Sequence, residues 1–425
     1  MAHTPNAVTT YASIDKMKIL WVKAGGLVPL DFGGRIRSFH IAKELARSHQ
    51  VTLFTFYLAE GDDRHAELSK IFTRVECRPL RAANRKRFGE AAQYARALLS
   101  IRPFTIVKFC KPRLARELRK ILRDEQFDVM VCDFSIAGAV IPWDVPGRKV
   151  IFTHNVEAQI WQRHYQVARN LLWKAVCWRE YRTMARAERL YVRRADHVVT
   201  VSEADRDFFA GLIDPRKISV IPTGVDLDYF QPADGAGKPD HLVFTGTMDY
   251  FPNDDGIVHF IQEILPLIRS RVPGVTLSVV GGRPRSRLLA VAAKTSGVQV
   301  TGRVEDIRPY VRDAAVYVVP LRVGGGTRLK IFEAMAMGKA VVSTSIGAEG
   351  LDVLDGSNIV LADSPPVFAN AVVELLGDEE RRRRIGLAAT QLAAQYSWPR
   401  IASRFSQILS GVIESEKPAS PPVKA

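Results

Sequence analysis

The sequence predicts an α/β protein made of two doubly wound, parallel-sheet domains in series, and three observations predict it. The 425-residue chain is too long for one ordinary core and suits two domains of roughly 200 residues. Short apolar runs alternate with helical patterns along its length, as strands covered by helices on both faces require. A polar, glycine-bearing break, QPADGAGKPD at 231–240, divides that alternation into two series.

The first series opens with MKILWVKAGG (17–26), a β-rich run ending in glycines. GGRIRSFHIAKELARSHQ follows, with Ile36, Phe39, Ile41, Ala42 and Leu45 on one side of a helix. Further strands are read in VTLFTFY (51–57), DVMVCDF (128–134), KVIFTHN (149–155), DHVVTVS (196–202) and ISVIPTG (218–224). After the break come HLVFTGT, VTLSVVGG, VQVTGR, AVYVVPL and AVVSTS, with a helix carrying EAMAM before the last of them. The domains are therefore expected at 17–230 and 241–398, joined by a linker at 231–240. The end, 416–425, has too little apolar content to fold and is expected to be disordered.

An apolar content of 47% and a charged content of 25% are ordinary globular values. No run of 18 apolar residues predicts a membrane-spanning helix. The opening MAHTPNAVTTYASIDK lacks the basic end and apolar core of a secretory leader, so the cytoplasm is the expected compartment. Cys77, Cys110, Cys132 and Cys177 are far apart, with no C-x-x-C and no histidine at ligand spacing, which indicates neither zinc nor a disulfide framework. Charge is uneven: residues 1–230 carry a net +13 and the remainder +2. A basic half attracts anionic lipid, nucleic acid or acidic substrates.

Ligands of open α/β sheets sit at the carboxyl ends of strands, which makes a cleft between the two domains the expected site. PLRVGGGTRLKIFEAMAMGKAVVST (320–344) carries the chemistry. It reads as a strand end, a flexible turn and a helix start, with Thr327 as N-cap and Gly338 as the helix stop. Glycine-flanked N–H groups at a helix start bind anions. Arg328 offers a planar fork and Lys330 a point charge, both suited to phosphate oxygens. Glu333 on the same helix can accept hydrogen bonds from a sugar or ribose diol. A diphosphate joining a sugar to a nucleoside would use all of these. The plainer alternatives are an i,i+3 surface pair of Lys330 with Glu333 and a mobile glycine loop.

This segment resembles the donor-binding motif of the retaining glycosyltransferases of family 4, the group 1 glycosyltransferases, which have the GT-B fold. FGGRIRSFHIAKELA resembles the family's N-terminal glycine loop, FTHNVE the strand end with a sugar-facing histidine, VTVSE the last strand of the first domain, and VIPTGVDLDYF the interdomain crossing. VTGRVEDIRPY resembles the base-facing loop. The likeness spans residues 17–415 and implies a C-terminal helix, 399–415, returning to the first domain. It also implies donor contacts from Gly33, Gly34, Gly246, Thr247, Gly302, Arg303, Val304, Asp306, Gly325, Gly326, Thr327 and Glu333. Catalytic roles fall to His154, Arg328 and Lys330, and Glu157 is an acceptor-side candidate.

Two departures stand out. The family commonly has a Glu-x7-Glu pair; Glu333 matches the second acid, but the first position is Gly325. Many relatives place Gly-Arg and then Lys-Gly where this chain has Gly246–Thr247 and 253–256, so Arg328 and Lys330 are expected to carry the pyrophosphate charge. The resemblance implies sugar transfer from a nucleoside diphosphate with retention at the anomeric carbon. The co-substrate would be a UDP- or GDP-sugar, and no cofactor is expected.

No carboxylate nucleophile is identifiable beneath the sugar. Front-face attack, with the leaving diphosphate taking the acceptor proton, is the expected route, driven by positioning and by charge stabilisation. His154 would hydrogen-bond a donor hydroxyl at the cleft. Asp226–Leu227–Asp228 mimics a metal-binding D-x-D but falls in a loop after the crossing, so no obligatory metal is expected.

Between 160 and 196, Trp161, Trp173, Trp178, Tyr181 and Tyr191 interleave with many arginines and lysines. That pattern fits a surface resting on anionic headgroups, at the inner face of a membrane, or an ordinary long helix with a solvated basic face. The acceptor would then be lipid-linked, a polysaccharide or another glycan. Nucleic acid is not expected as a partner, because no known binding motif is visible. Two other readings remain open: a nucleotide-sugar 2-epimerase of the same fold, and a degenerate GT-B protein that binds nucleotide or polyanion without transfer. A dehydrogenase is disfavoured because GGLVPLDFGG lacks G-x-G-x-x-G spacing.

Overall fold

A computed structural model describes residues 16–30, 33–58, 65–80, 94–95, 97–98, 100–168, 170–232, 237–323 and 329–415. The chain divides into two units. The first takes the chain up to Thr200, Asp205–Ile221 and everything from Ala402; the second takes Val201–Ala204 and Pro222–Ile401.

The first unit is built on strands β1 (Lys18–Ala24), β2 (Gln50–Leu58), β3 (Arg74–Leu80), β4 (Val129–Asp133), β5 (Arg148–Phe152), β6 (His197–Thr200) and β7 (Ile218–Val220). They form one sheet in the order β3-β2-β1-β4-β5-β6-β7, every neighbouring pair parallel. Ile19, Leu20, Trp21 and Val22 of the central strand are all fully buried, as a strand covered on both faces must be. Helix α1 (Gly33–Ser48) follows β1. Its buried side is Ile41, Ala42 and Leu45 together with Arg37 and Ser38, whereas Ile36 and Phe39 are only half-buried. The inward face is rotated relative to the apolar pattern because the two polar side chains have buried partners of their own.

The second unit uses β8 (Lys238–Thr245), β9 (Thr276–Val280), β10 (Val298–Gly302), β11 (Ala314–Val319), β12 (Ala340–Ser343) and β13 (Val360–Leu361). Their order is β10-β9-β8-β11-β12-β13, again all parallel. Two of the thirteen strands among the described residues had no sequence expectation. β3 lies at the sheet edge with a half-exposed, charged surface, and β13 is two residues long, so neither shows a two-sided apolar run. β8 begins at Lys238, inside the stretch read as linker.

Further helices include α2 (Pro112–Asp124) and α7 (Glu379–Ala394), and the last described helix, α8 (Trp398–Glu414), changes unit along its length. Its start is fixed in the second unit, where a Cβ on Gly224 would lie 2.4 Å from the Trp398 ring. From Ala402 onward it belongs to the first, where the Phe405 ring packs 5.7 Å from Trp21 and 5.1 Å from Phe152. His49 Nε2 and Ser406 Oγ are 2.7 Å apart in the same packing. Burying one such aromatic stabilises by about 1.5–3 kcal/mol. Among the described residues no helix is long and apolar enough to cross a membrane.

Candidate functional site

In the second unit the carboxyl ends of β8, β9 and β10 meet through glycine backbone. Gly246 N donates to Val280 O (3.0 Å) and Gly281 N to Gly302 O (3.1 Å). A Cβ on Gly281 would fall 1.8 Å from the Gly246 carbonyl oxygen, so no other residue fits there. Helix α5 (Phe251–His259) follows β8 and presents Asn253. The amide of Asn253 donates to Thr247 O (2.9 Å) and accepts from Lys330 Nζ (2.8 Å).

Lys330 rises from α6 (Leu329–Ala336), its ammonium 4.2 Å from the centroid of the Phe244 ring, a cation–π contact. Gly246, Thr247 and Lys330 are thus brought together, and Asn253 joins them without having been singled out in the sequence. The opportunity to see it lay in FPNDDG, a polar run at a helix start.

Glu333, one turn along α6, is half-buried, and burial pushes its carboxyl up to about 7 against the pull of Lys330. The helix stops at Gly338, with φ +71°. Gly325, Gly326, Thr327 and Arg328 lie outside the described residues. In the base-facing loop, Arg303 is exposed and Val304 half-buried. Asp306 is engaged by Arg308, which donates to both its carboxylate oxygens at 2.8–3.0 Å, and by the Tyr229 hydroxyl at 3.2 Å. The Arg308 guanidinium stacks 3.8 Å over the Tyr229 ring. Asp306 thus ties its own loop to the segment that carries Tyr229. Asp226 Oδ1 accepts from the backbone N–H groups of Asp228 (3.1 Å) and Tyr229 (3.0 Å), the work of a turn.

In the first unit the ends of β1, β4 and β5 converge on a buried ionic cluster. Asp133 is its centre: its carboxylate accepts from Trp21 Nε1 (2.8 Å), Lys23 Nζ (3.2 Å) and His154 Nε2 (2.8 Å). Burial alone would raise Asp133, but Lys23 and His154 hold it at about 2. Burial brings Lys23 down to about 8 despite Asp133. Arg37 Nη1 lies 3.1 Å from His154 Nδ1, and a guanidinium only donates, so Nδ1 is the acceptor and Nε2 carries the proton. Burial lowers His154 to about 3, which keeps the ring neutral.

Ser38 Oγ donates to Gly34 O (2.8 Å), tying the Gly33–Gly34 start of α1 to the cluster. Phe134 stacks on His154 (4.1 Å) beneath Lys23 (3.8 Å) at φ +70°, a strained backbone for an aromatic residue.

The sequence placed His154 at a strand's carboxyl end facing the expected cleft. Its position past β5 is as expected, but its ring is only 2% exposed and both nitrogens are engaged. Asp133 and Arg37, which the sequence reading passed over, take them. Their signal was present: a lysine inside ILWVKA and an aspartate closing VMVCD are charges in otherwise apolar strands.

Glu157 opens α3 (Glu157–Val167), whose N-cap, Val156, has no side-chain acceptor. Glu188, from α4 (Leu171–Arg194), supplies it by accepting from Glu157 N (3.0 Å), Ala158 N (2.9 Å) and Ser135 Oγ (3.2 Å). Burial and then the charge of Glu188 push Glu157 up to about 8, and burial pushes Glu188 to about 7.

Two parallel sheets, glycine-lined strand ends and a lysine-bearing helix start define a class, the GT-B proteins, and known structures share that architecture. Sucrose-phosphate synthase from Thermosynechococcus elongatus superposes with a TM-score of 0.68 at 19% identity, covering 92% of this chain and 98% of that one. Anabaena HepE in complex with UDP-glucose superposes at 0.66 and 17% identity, covering 93% and 100%. Residues 33–229 match the model of Glycosyltransferase Family 4 and residues 239–378 that of Glycosyl transferases group 1. The chain belongs to glycosyltransferase family 4. A GDP-mannose-dependent α-(1-6)-phosphatidylinositol monomannoside mannosyltransferase of Mycolicibacterium smegmatis is 30% identical over 247 residues, 52% of this chain and 64% of the relative. The chain thus spans just under two thirds of the length of that relative.

Proposed function

We propose that the protein transfers a sugar from a nucleoside diphosphate to a hydroxyl of a glycan or lipid-linked acceptor, with retention and without an obligatory metal. The bond from the anomeric carbon to the diphosphate breaks while a bond to the acceptor oxygen forms on the same face, and the acceptor proton passes to a diphosphate oxygen. The observation that carries this reading is the second unit's strand ends: stripped to glycine, they hold the Lys330 ammonium beside Gly246, one helical turn from Glu333. Backbone N–H groups and that ammonium suit a diphosphate, and Glu333 suits a ribose diol.

Arg328 would add a second cation, and a UDP- or GDP-sugar would be the donor. Gly302, Arg303 and Val304 would lie along the base. Asp133 and Arg37 hold His154 in one tautomer; the imidazole reaches a sugar hydroxyl only by giving up Arg37. Glu157, kept protonated near neutrality, can donate a hydrogen bond to an acceptor. A lipid-linked acceptor is consistent with the relative that acts on a phosphatidylinositol mannoside, and places the enzyme at a cytoplasmic membrane face, in polysaccharide or glycolipid assembly.

The first test is calorimetric binding of UDP, GDP and ADP to the wild type and to Glu333→Ala. One nucleotide should bind tightly and lose roughly tenfold or more in the variant, as expected when about 1.4 kcal/mol of diol hydrogen bonding is removed. If none of the three binds, the reading is overturned and the non-transferring scaffold becomes the better description.

A further inference from the structure

We propose that the exposed face of α4, together with its amino-terminal tip, is a docking surface for an anionic lipid bilayer. Leu171 and Leu172, the first residues of α4, are each 81% exposed, and Trp173 and Trp178 are about half exposed. Trp173 packs at a tilt of 59° against Trp161 of α3 (centroids 6.4 Å apart), which joins the tip to α3 as one apolar unit. Arg179 donates to the carbonyls of Ser100 (2.8 Å) and Arg102 (3.3 Å), fastening to α4 the segment that carries exposed Leu98 and Ile101.

Leu171, Ala175, Trp178, Arg182, Arg186, Arg189 and Arg193 are all exposed and follow one another at spacings of three or four, so they share one side of the helix. From Trp178 to Arg193 that stripe runs about 22 Å. It bears four arginines and no carboxylate, since the two acids of α4, Glu180 and Glu188, are buried and bonded inward. The Arg182 guanidinium lies 5.6 Å from the Trp178 ring centroid, in the pairing of cation and aromatic that suits a headgroup layer.

Charge complementarity selects the occupant. A cationic stripe repels a second copy of itself, and fully exposed leucines gain nothing from a nucleic-acid backbone. A bilayer takes both, with leucine and tryptophan at the acyl boundary and arginines among phosphates. The surface deepens the lipid-linked reading of the acceptor, from which it borrows its purpose but not its physics.

The test is co-sedimentation of the full chain with phosphatidylcholine vesicles, with and without 30 mol% phosphatidylglycerol, alongside calorimetric nucleotide binding. Binding is expected only to the anionic vesicles, weakening as salt rises, with a blue shift of tryptophan emission. Arg182→Glu/Arg186→Glu/Arg189→Glu and, separately, Leu171→Ser/Leu172→Ser should each lower vesicle affinity at least tenfold while leaving nucleotide affinity unchanged. Equal binding to neutral vesicles, no binding to either, or tighter binding to single-stranded DNA than to vesicles would overturn the proposal, as would dimerisation lost in the same variants. Vesicle binding without nucleotide binding would leave the surface standing and sink the transferase reading instead.

Discussion

The two units solve the same architectural problem in opposite ways. Each is a parallel sheet whose strand ends gather polar groups. In the first unit those ends are filled by the protein's own charges: Lys23, Asp133, His154 and Arg37 satisfy one another under Phe134. In the second they are emptied to glycine, and polar groups wait at the margin in Lys330, Asn253 and Glu333. A closed ionic cluster fixes geometry, whereas a glycine-lined end leaves backbone N–H groups accessible to a ligand. One plan thus yields a closed strand end in one unit and a receptive one in the other.

The largest expected effect comes from filling the emptied end. Gly281→Val drives a side chain into the Gly246 carbonyl and should cost about 4 kcal/mol or more, unfolding the second unit first, as limited proteolysis would show. An intact second unit would mean that these strand ends can separate. Emptying the filled end is the converse. Asp133→Ala leaves Lys23 buried without its carboxylate and should cost about 3–5 kcal/mol by denaturant unfolding. Adding Lys23→Met should recover part of that loss, and a cost under 1 kcal/mol would show water entering the cluster.

Titration sharpens the contrast. Native His154 stays neutral down to about pH 3, while in the unfolded chain it takes a proton below about 6.5. Between those values the unfolded state binds more protons, so this residue makes the first unit lose stability, by a few kcal/mol, as pH falls from 6.5 to 3. Glu333 works the other way: native, it holds its proton up to about 7, unfolded only to about 4.5, so its contribution weakens as pH rises through that window. Glu157 and Glu188, both raised, oppose His154 within the first unit above about pH 4.5. Hydrogen exchange resolved by unit should therefore show the first unit gaining stability as pH rises from 3 to 4.5 and the second losing it from 4.5 to 7. Absence of either slope would remove the contrast. The smallest effect should be Lys330→Met, which keeps the stem over Phe244, loses the bond to Asn253, and should weaken UDP or GDP binding about tenfold with little change in Tm.

The placing of Lys330 and Glu333 on one short helix was legible because their spacing is local. The first unit's cluster was not, because its members come from β1, α1, β4 and the end of β5, and each looks like an isolated misfit in an apolar pattern. Arg37 and Ser38 are read by helical periodicity as the polar side of α1, yet they point inward because Asp133 and His154 await them. The sheets were read strand by strand wherever both faces are buried. The edge strand β3 escaped because its pairs, such as Arg78 with Glu76, present charge rather than hydrocarbon.

The helix that changes unit along its length sets the order in which the protein can be completed. Phe405 stands against Trp21 and Phe152, so the first unit's interior lacks a ring until the whole second unit has been made. At about 5–20 residues per second, the intervening 180 or so residues keep the ribosome occupied for roughly 10–40 s. For that interval the amino-terminal half is an unfinished hydrophobic surface, a client for chaperones, while the second unit emerges with its core contiguous in the chain. The half made first is the half that folds last.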